Sequence, residues 1–175
     1  MAETATGPVV AGKIGVVDMQ RVLNMSEAGK AASAELNAKG EAMEKALAAK
    51  KSDFEEERKS FEKKASMMTA DARDDKQREL RIKYSDLRDL ERKYAEDLKR
   101  LEATLREGIL NEVIQILEDI GKREGYALIV DKVEAGVVYS PANTDLTDRV
   151  IKEYNAKWKP KKGATAAPKP SGKSR

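Results

Sequence analysis

The chain contains no histidine and no cysteine among its 175 residues. The first absence removes the side chain that ordinarily shuttles protons near neutral pH, and the two together remove the imidazole and thiolate ligands of zinc sites. Without cysteine there is neither a thiol nucleophile nor a disulfide, so cysteine usage leaves the compartment open. Aromatic residues are scarce at 5%, whereas charged residues reach 37%, against about 25% in an ordinary globular chain. So little apolar material cannot fill a compact core for this length, and an elongated or oligomeric protein is expected. Long apolar runs are missing too, and none approaches the roughly 20 residues that span a bilayer.

What the chain has instead is charge, helix-forming sequence and two ends of distinct character. The opening "MAETATGPVVAGK" reads as an initiator Met joined to the small-residue start of a mature exported protein, so a signal peptide is expected in the precursor. Residues 1–12 are expected to be a flexible leader. From Lys157 the ending "KWKPKKGATAAPKPSGKSR" carries seven basic and no acidic residues, which leaves 27 basic against 31 acidic in residues 1–156. The overall net charge of +3 therefore belongs to the end of the chain, and residues 157–175 are expected to form a disordered, basic Lys/Pro-rich tail.

Between these ends "KIGVVDM" (residues 13–19) predicts a β-strand. A helix should then start near Gln20 and run to about Met68, since the segment lacks proline and is dominated by Ala, Glu and Lys. A second helix should follow and stop at Gly125, glycine being the favoured residue just past a helix end. Each arm of about 48 residues would reach roughly 70 Å. Residues 20–125 thus predict an antiparallel helical hairpin with its tip near residues 66–76. The second arm shows a seam at Leu80, Tyr84, Leu87, Tyr94, Leu98, Leu101 and Leu105, broken by Glu91. The first arm repeats Leu47, Phe54, Phe61 and Met68 every seven residues, while its partner position turns from Leu36 and Met43 to Lys50, Glu57 and Lys64. The hairpin should therefore zip well near its base and poorly toward its tip.

At the base, "GILNEVIQILEDIG" carries apolar residues on more than one face, as a helix buried on several sides requires. "YALIVDK" and "GVVYS" (Gly136 to Ser140) predict two further strands joined by a short turn, and "DLTDRVIKEYNAKW" a last helix capped by Asp145 or Thr147. Residues 126–156 should complete a small body. Three strands leave two bare edges, which invite pairing with another chain. The fold class is therefore α+β, mostly α, with a coiled-coil hairpin and a body completed by oligomerisation. Ile14, Val16, Leu128, Val130 and Val137 on the strands, with Ile116 at the helix base, are the residues expected to build that body and its subunit contacts.

The order of strand, helical hairpin, two strands and terminal helix resembles the Skp/OmpH family of periplasmic chaperones, most specifically in "KIGVVDMQRVL", "LIVDKVEAGVVYS" and "DLTDRVIKEYN". The resemblance covers about residues 13–156. It implies a homotrimer with a β-barrel-like body from which coiled-coil tentacles project. It further implies a periplasmic address and a cavity between tentacles that holds unfolded outer-membrane proteins without ATP or any other cofactor. The leader before Lys13 and the tail beyond Trp158 depart from the family pattern.

Other chemistries fare less well. "GPVVAGKI" (residues 7–14) has the G-x-x-x-x-G-K spacing of a phosphate-binding loop, but Ile14 stands where magnesium needs Ser or Thr, and a strand follows in place of a helix. Carboxylate clusters such as "FEEER" and "RDD" lie among Lys and Arg on predicted helices and read as ion-paired, solvated faces. No catalytic residue and no metal ligand is assigned. Nucleic-acid binding needs clustered positive charge, yet seven basic residues between Lys45 and Lys64 face five acidic ones. Only the tail is unopposed, which suits weak contact with an anionic membrane or lipopolysaccharide and no specific nucleic acid. A purely architectural coiled-coil spacer explains the seam but not the adjacent Met67 and Met68 at a sparse tip. Methionine adapts to many apolar partners. Met67, Met68, Ile82, Leu90, Phe54 and Phe61 are therefore the candidate client-binding residues.

Overall fold

The computed structural model describes residues 12–159. The expected leader up to Ala11, most of the phosphate-loop-like stretch and the tail from Pro160 lie outside the described residues. Two compact units divide the chain. Among the described residues one comprises 12–34 and 104–159, and the other comprises 35–103.

The first unit is built on a two-stranded parallel sheet. Strand β1 (Lys13–Val17) pairs with β2 (Tyr126–Asp131), with Ile14 opposite Leu128 and Val16 opposite Val130. A parallel pair needs a long connection, which here is everything between the strands. Gly15 leaves room for its neighbour: a Cβ there would come within 2.7 Å of Leu146 Cδ1, so the missing side chain lets Leu146 pack onto the strand without shifting. The Leu146 amide donates to the Val16 carbonyl at 2.8 Å, which occupies part of the outer edge of β1.

The third expected strand, Gly136 to Ser140, does not form. Asp131 Oδ1 accepts from the Val133 amide at 2.8 Å and Gly136 takes a φ of 62°, which sets up a turn that the Val137 amide closes on the Lys132 carbonyl at 3.0 Å. Beyond that bond the amides of Val138 to Ser140 find no backbone acceptor among the described residues. A β-prone sequence without a ladder partner stays irregular.

The first helix is also shorter than expected. Helix α1 (Met19–Met25) is capped by Asp18, whose Oδ1 accepts from the Arg21 amide at 2.8 Å, and it ends at Ser26 (φ −69°, ψ 153°). Helix α2 (Glu27–Lys64) then starts afresh, with Ser26 Oγ accepting from the Gly29 amide at 3.1 Å and Asn155 Oδ1 accepting from the Glu27 amide at 2.8 Å. Ser26 thus acts as an N-cap in mid-pattern, satisfying donors that an unbroken helix would have used internally.

A single-turn 3₁₀ segment, Ala65–Met67, leads through extended Met68 into helix α3 (Ala70–Glu124). The tip is tighter than the 66–76 span expected, because Thr69 Oγ1 accepts from the Ala72 amide at 3.3 Å and starts α3 early. Helix α3 stops where glycine allows it, at Gly125 with φ 71°. Helix α4 (Thr147–Lys157) closes the described part. Leu146 occupies its cap position, while Asp145 Oδ1 accepts from the Thr147 amide at 2.9 Å. Thr147 is no cap: it is buried, and its Oγ1 accepts from the Asp18 amide at 2.9 Å.

The core of this unit joins Val17, Val22, Ala28, Ile109, Val113, Ile116, Ile120, Leu146, Val150 and Tyr154. Ile109, Val113, Ile116 and Ile120 form one buried stripe of α3, while Ile114 is 47% exposed. The base of the helix is therefore covered on one face and not all round. Arg149 clamps α4 to the end of α3 through the Glu124 carboxylate and also bonds Glu153 at 3.1 Å. Bonds from Arg149 hold the Glu124 carboxyl below the usual carboxylate range.

In the second unit the outgoing and returning arms run antiparallel. Gly40 faces Leu98, Lys51 Nζ donates to Glu91 at 3.1 Å, and Phe54 meets Tyr84. Leu36, Met43, Leu47, Phe54, Phe61 and Met68 are all half-buried, as are Leu87, Tyr94, Leu98 and Leu101 across from them, and Leu80 is buried. The charged positions expected to weaken the seam behave differently from one another. Glu57 accepts from Lys83 Nζ at 2.6 and 2.7 Å across the arms, whereas Lys50 and Lys64 stand exposed. Glu91, expected as a break, is the partner of Lys51.

Candidate functional site

The helix repeat places two short stripes on facing sides of the arms. Phe54, Arg58 and Phe61 on α2 and Gln77, Arg81 and Tyr84 on α3 recur at four and three residues, which returns side chains to one face. With Glu55, Glu62 and Leu80 they line an open cleft of about 550 Å³. Phe54 and Tyr84 lie with ring centroids 6.0 Å apart and planes tilted by 37°, within the range of attractive aromatic pairs. Arg58 reaches Glu55 at 2.8 Å and Glu62 at 3.8 Å.

Phe54 also borders a second hollow of about 280 Å³, with Lys50, Asp53, Glu57, Lys83, Asp86, Leu87 and Leu90. Here Lys83 bonds Glu57 and lies 2.9 Å from Glu79, while Lys76 bonds Glu79 at 2.7 Å. The bonds to Glu57 and then Glu79 hold the Lys83 ammonium above its ordinary range, and Lys76 and Lys83 hold the Glu79 carboxyl below its own. Both hollows are open, and each is lined by apolar and charged side chains together. Such an arrangement offers apolar contact and charge side by side. Among the described residues no group of three acidic side chains is placed to hold a metal ion.

The six candidate client-binding residues separate into two sets. Phe54 and Phe61 share the larger cleft, and Leu90 lines the smaller one. Leu90, absent from the seam read in the sequence, is half-buried and lines that hollow together with Leu87. Met68 is half-buried at the turn, while Met67 (80% exposed) and Ile82 (56%) touch neither hollow. Arg58, Gln77 and Arg81 complete the cleft without standing out by residue type, and the signal in the sequence is their four- and three-residue spacing from Phe54, Phe61 and Tyr84.

The body residues also divide. Val16 and Ile116 are buried within the chain's own core, and Val130 and Val137 are half-buried. Ile14 and Leu128, paired in register, are 57% and 54% exposed. Leu128 joins Ile114, Leu117, Tyr126 and Ile129 around a shallow hollow of about 490 Å³. Val138 and Tyr139, in the segment that fails to form a strand, are almost wholly exposed.

The sequence profile of the outer membrane protein (OmpH-like) family matches residues 13–154. Among solved structures, the chain aligns with an OmpH-like protein from Caulobacter crescentus CB15, described as a candidate outer membrane chaperone. The TM-score is 0.77 at 17% identity, over 89% of this chain and 90% of that one. At that identity the likeness speaks for the fold. No curated protein sequence matches the chain closely enough to count as a relative.

Proposed function

The chain belongs to the OmpH-like outer membrane protein family, and on that premise we propose that it is a periplasmic chaperone. It acts as a holdase that takes up unfolded outer-membrane β-barrel proteins in a cavity between the hairpins of three copies and keeps them from aggregating. It uses no ATP and does no chemistry. The observation that carries this reading is the hairpin unit itself, where Phe54, Phe61, Leu80 and Tyr84 line an open cleft rimmed by charge, in place of an enclosed pocket. An unfolded client has no fixed shape, so many weak apolar contacts multiplied by avidity suit it better than one tight site. Binding the unfolded state lowers its free concentration without any reaction.

Assembly is supported by the body. Ile14, Leu128 and Ile114 expose apolar area beside the sheet, and the residues from Val138 to Ser140 carry strand-forming sequence with unused backbone groups. Pairing of that segment with a neighbouring copy would satisfy both. The basic residues from Lys157 onward fit a weak, salt-sensitive contact with an anionic membrane or lipopolysaccharide. The reading is tested by diluting a denatured β-barrel protein into buffer with and without the full chain, in the absence of nucleotide, and following light scattering. Suppression of scattering near one trimer per client supports it. Unchanged scattering at a large excess of the chain sinks it.

A further inference from the structure

Resting on that reading, the geometry points to a preference within the client: the larger cleft takes an extended client segment carrying an aromatic side chain with an acidic side chain two residues away. The aromatic half follows from the floor. Phe54, Phe61 and Tyr84 present three rings to one open hollow, and the existing Phe54–Tyr84 pair leaves Tyr84 55% exposed. A planar guest ring gains from stacking or edge contacts with such a floor beyond the area it covers.

The acidic half follows from the rim. Two guanidinium groups border the cleft. Arg58 already serves Glu55 and Glu62, whereas Arg81 meets no carboxylate among the described residues. An unengaged guanidinium offers a planar fork of donors suited to a carboxylate. Glu55 and Glu62, held by Arg58, oppose a second anion on that side, so the complementary charge is wanted at Arg81 alone.

The spacing follows from helix and strand geometry. Arg81 lies three residues before Tyr84 on α3, about 4.5 Å along the axis at 1.5 Å per residue. In an extended guest, side chains on the same side are two residues and roughly 6.6 Å apart. The difference is within the reach of an arginine side chain, so Phe-x-Asp or Phe-x-Glu fits, while adjacent residues point to opposite sides.

The test uses the full chain and short, soluble peptides blocked at both ends, so that the only carboxylate is the side chain. One carries Phe and Asp two residues apart, and the others replace Asp by Asn or Phe by Leu. Binding is read from broadening of the peptide's proton resonances at low salt. The parent is expected to bind the Phe-x-Asp peptide about three- to fivefold more tightly than the Asn version, the worth of an exposed ion pair. Arg81→Gln should erase that difference, and Arg88→Gln, outside the cleft, should keep it. Equal binding of the Asp and Asn peptides by the parent, or discrimination that survives Arg81→Gln, overturns the inference. So does a Leu version bound as well as the Phe one. Aggregation suppression by the parent is measured alongside. If it persists while the peptides are not told apart, the preference is wrong and the holdase stands. If suppression is absent, the functional reading has failed.

Discussion

Replacing Ile120 by Ala probes whether the buried stripe of α3 anchors the body. Ile120 is fully buried and belongs to the cluster with Val17, Val22, Val113 and Leu146. The substitution removes three carbons, worth about 2.4 kcal/mol at roughly 0.8 kcal/mol each. A cavity term adds to this, since neighbours held by α4 and the sheet relax only in part, and Ile→Ala in cores costs about 2–5 kcal/mol in all. For a chain of this size that lowers Tm by roughly 5–15 °C. Thermal unfolding followed by helix signal, at one fixed protein concentration because assembly contributes to stability, reads the shift. Met67→Ser, at a residue 80% exposed, serves as the comparison and should change stability by less than about 0.5 kcal/mol. If Ile120→Ala and Met67→Ser gave the same Tm, the placement of the core on this stripe would be refuted.

Other consequences follow from the same geometry. Burial, then the Glu112 carboxylate that accepts from its hydroxyl at 2.7 Å, raises the Tyr154 hydroxyl above its ordinary range. The neutral phenol therefore stabilises the fold fully below pH of about 10 and loses that contribution as pH rises beyond it; Tyr154→Phe should flatten this alkaline decline in denaturation midpoints. Amides from Lys50 to Leu80, where most side chains are exposed, should exchange faster than those from Ile109 to Ile120, and uniform protection in hydrogen exchange would contradict this. Replacing Met67 and Ile82 together by Ser should leave helix content and oligomer mass unchanged while reducing suppression of client aggregation, and undiminished suppression would remove both residues from the client surface.

The hairpin was legible because its evidence is periodic. Phe54, Phe61 and Met68 at intervals of seven against Leu80, Leu87, Tyr94 and Leu101 can be satisfied only by two facing helices. The break at Ser26 was not legible, since "MSEAGK" lacks the acidic residue three places after the cap, and the bond to Asn155 that supports it comes from the far end of the chain. The strand expected at Gly136 to Ser140 failed for a related reason: β-propensity describes fitness for a ladder, and among the described residues no backbone acceptor meets the amides of Val138 to Ser140. Charge at Glu57 read as weakness because its cross-arm partner, Lys83, is 26 residues away. The cleft was half seen. Its aromatic residues stood out by type, but the unengaged state of Arg81 depends on which carboxylates Arg58 takes, and that is decided by three-dimensional placement.

The most direct test of the holdase reading is the mass of the complex formed when a denatured outer-membrane β-barrel protein is diluted into the full chain. Size-exclusion chromatography with light scattering measures it without any label. The account predicts a soluble particle of three chains of 19.4 kDa plus one client, with the free chain eluting as a trimer. A free chain with the mass of one copy, or a client that precipitates while the chain elutes alone, would contradict it.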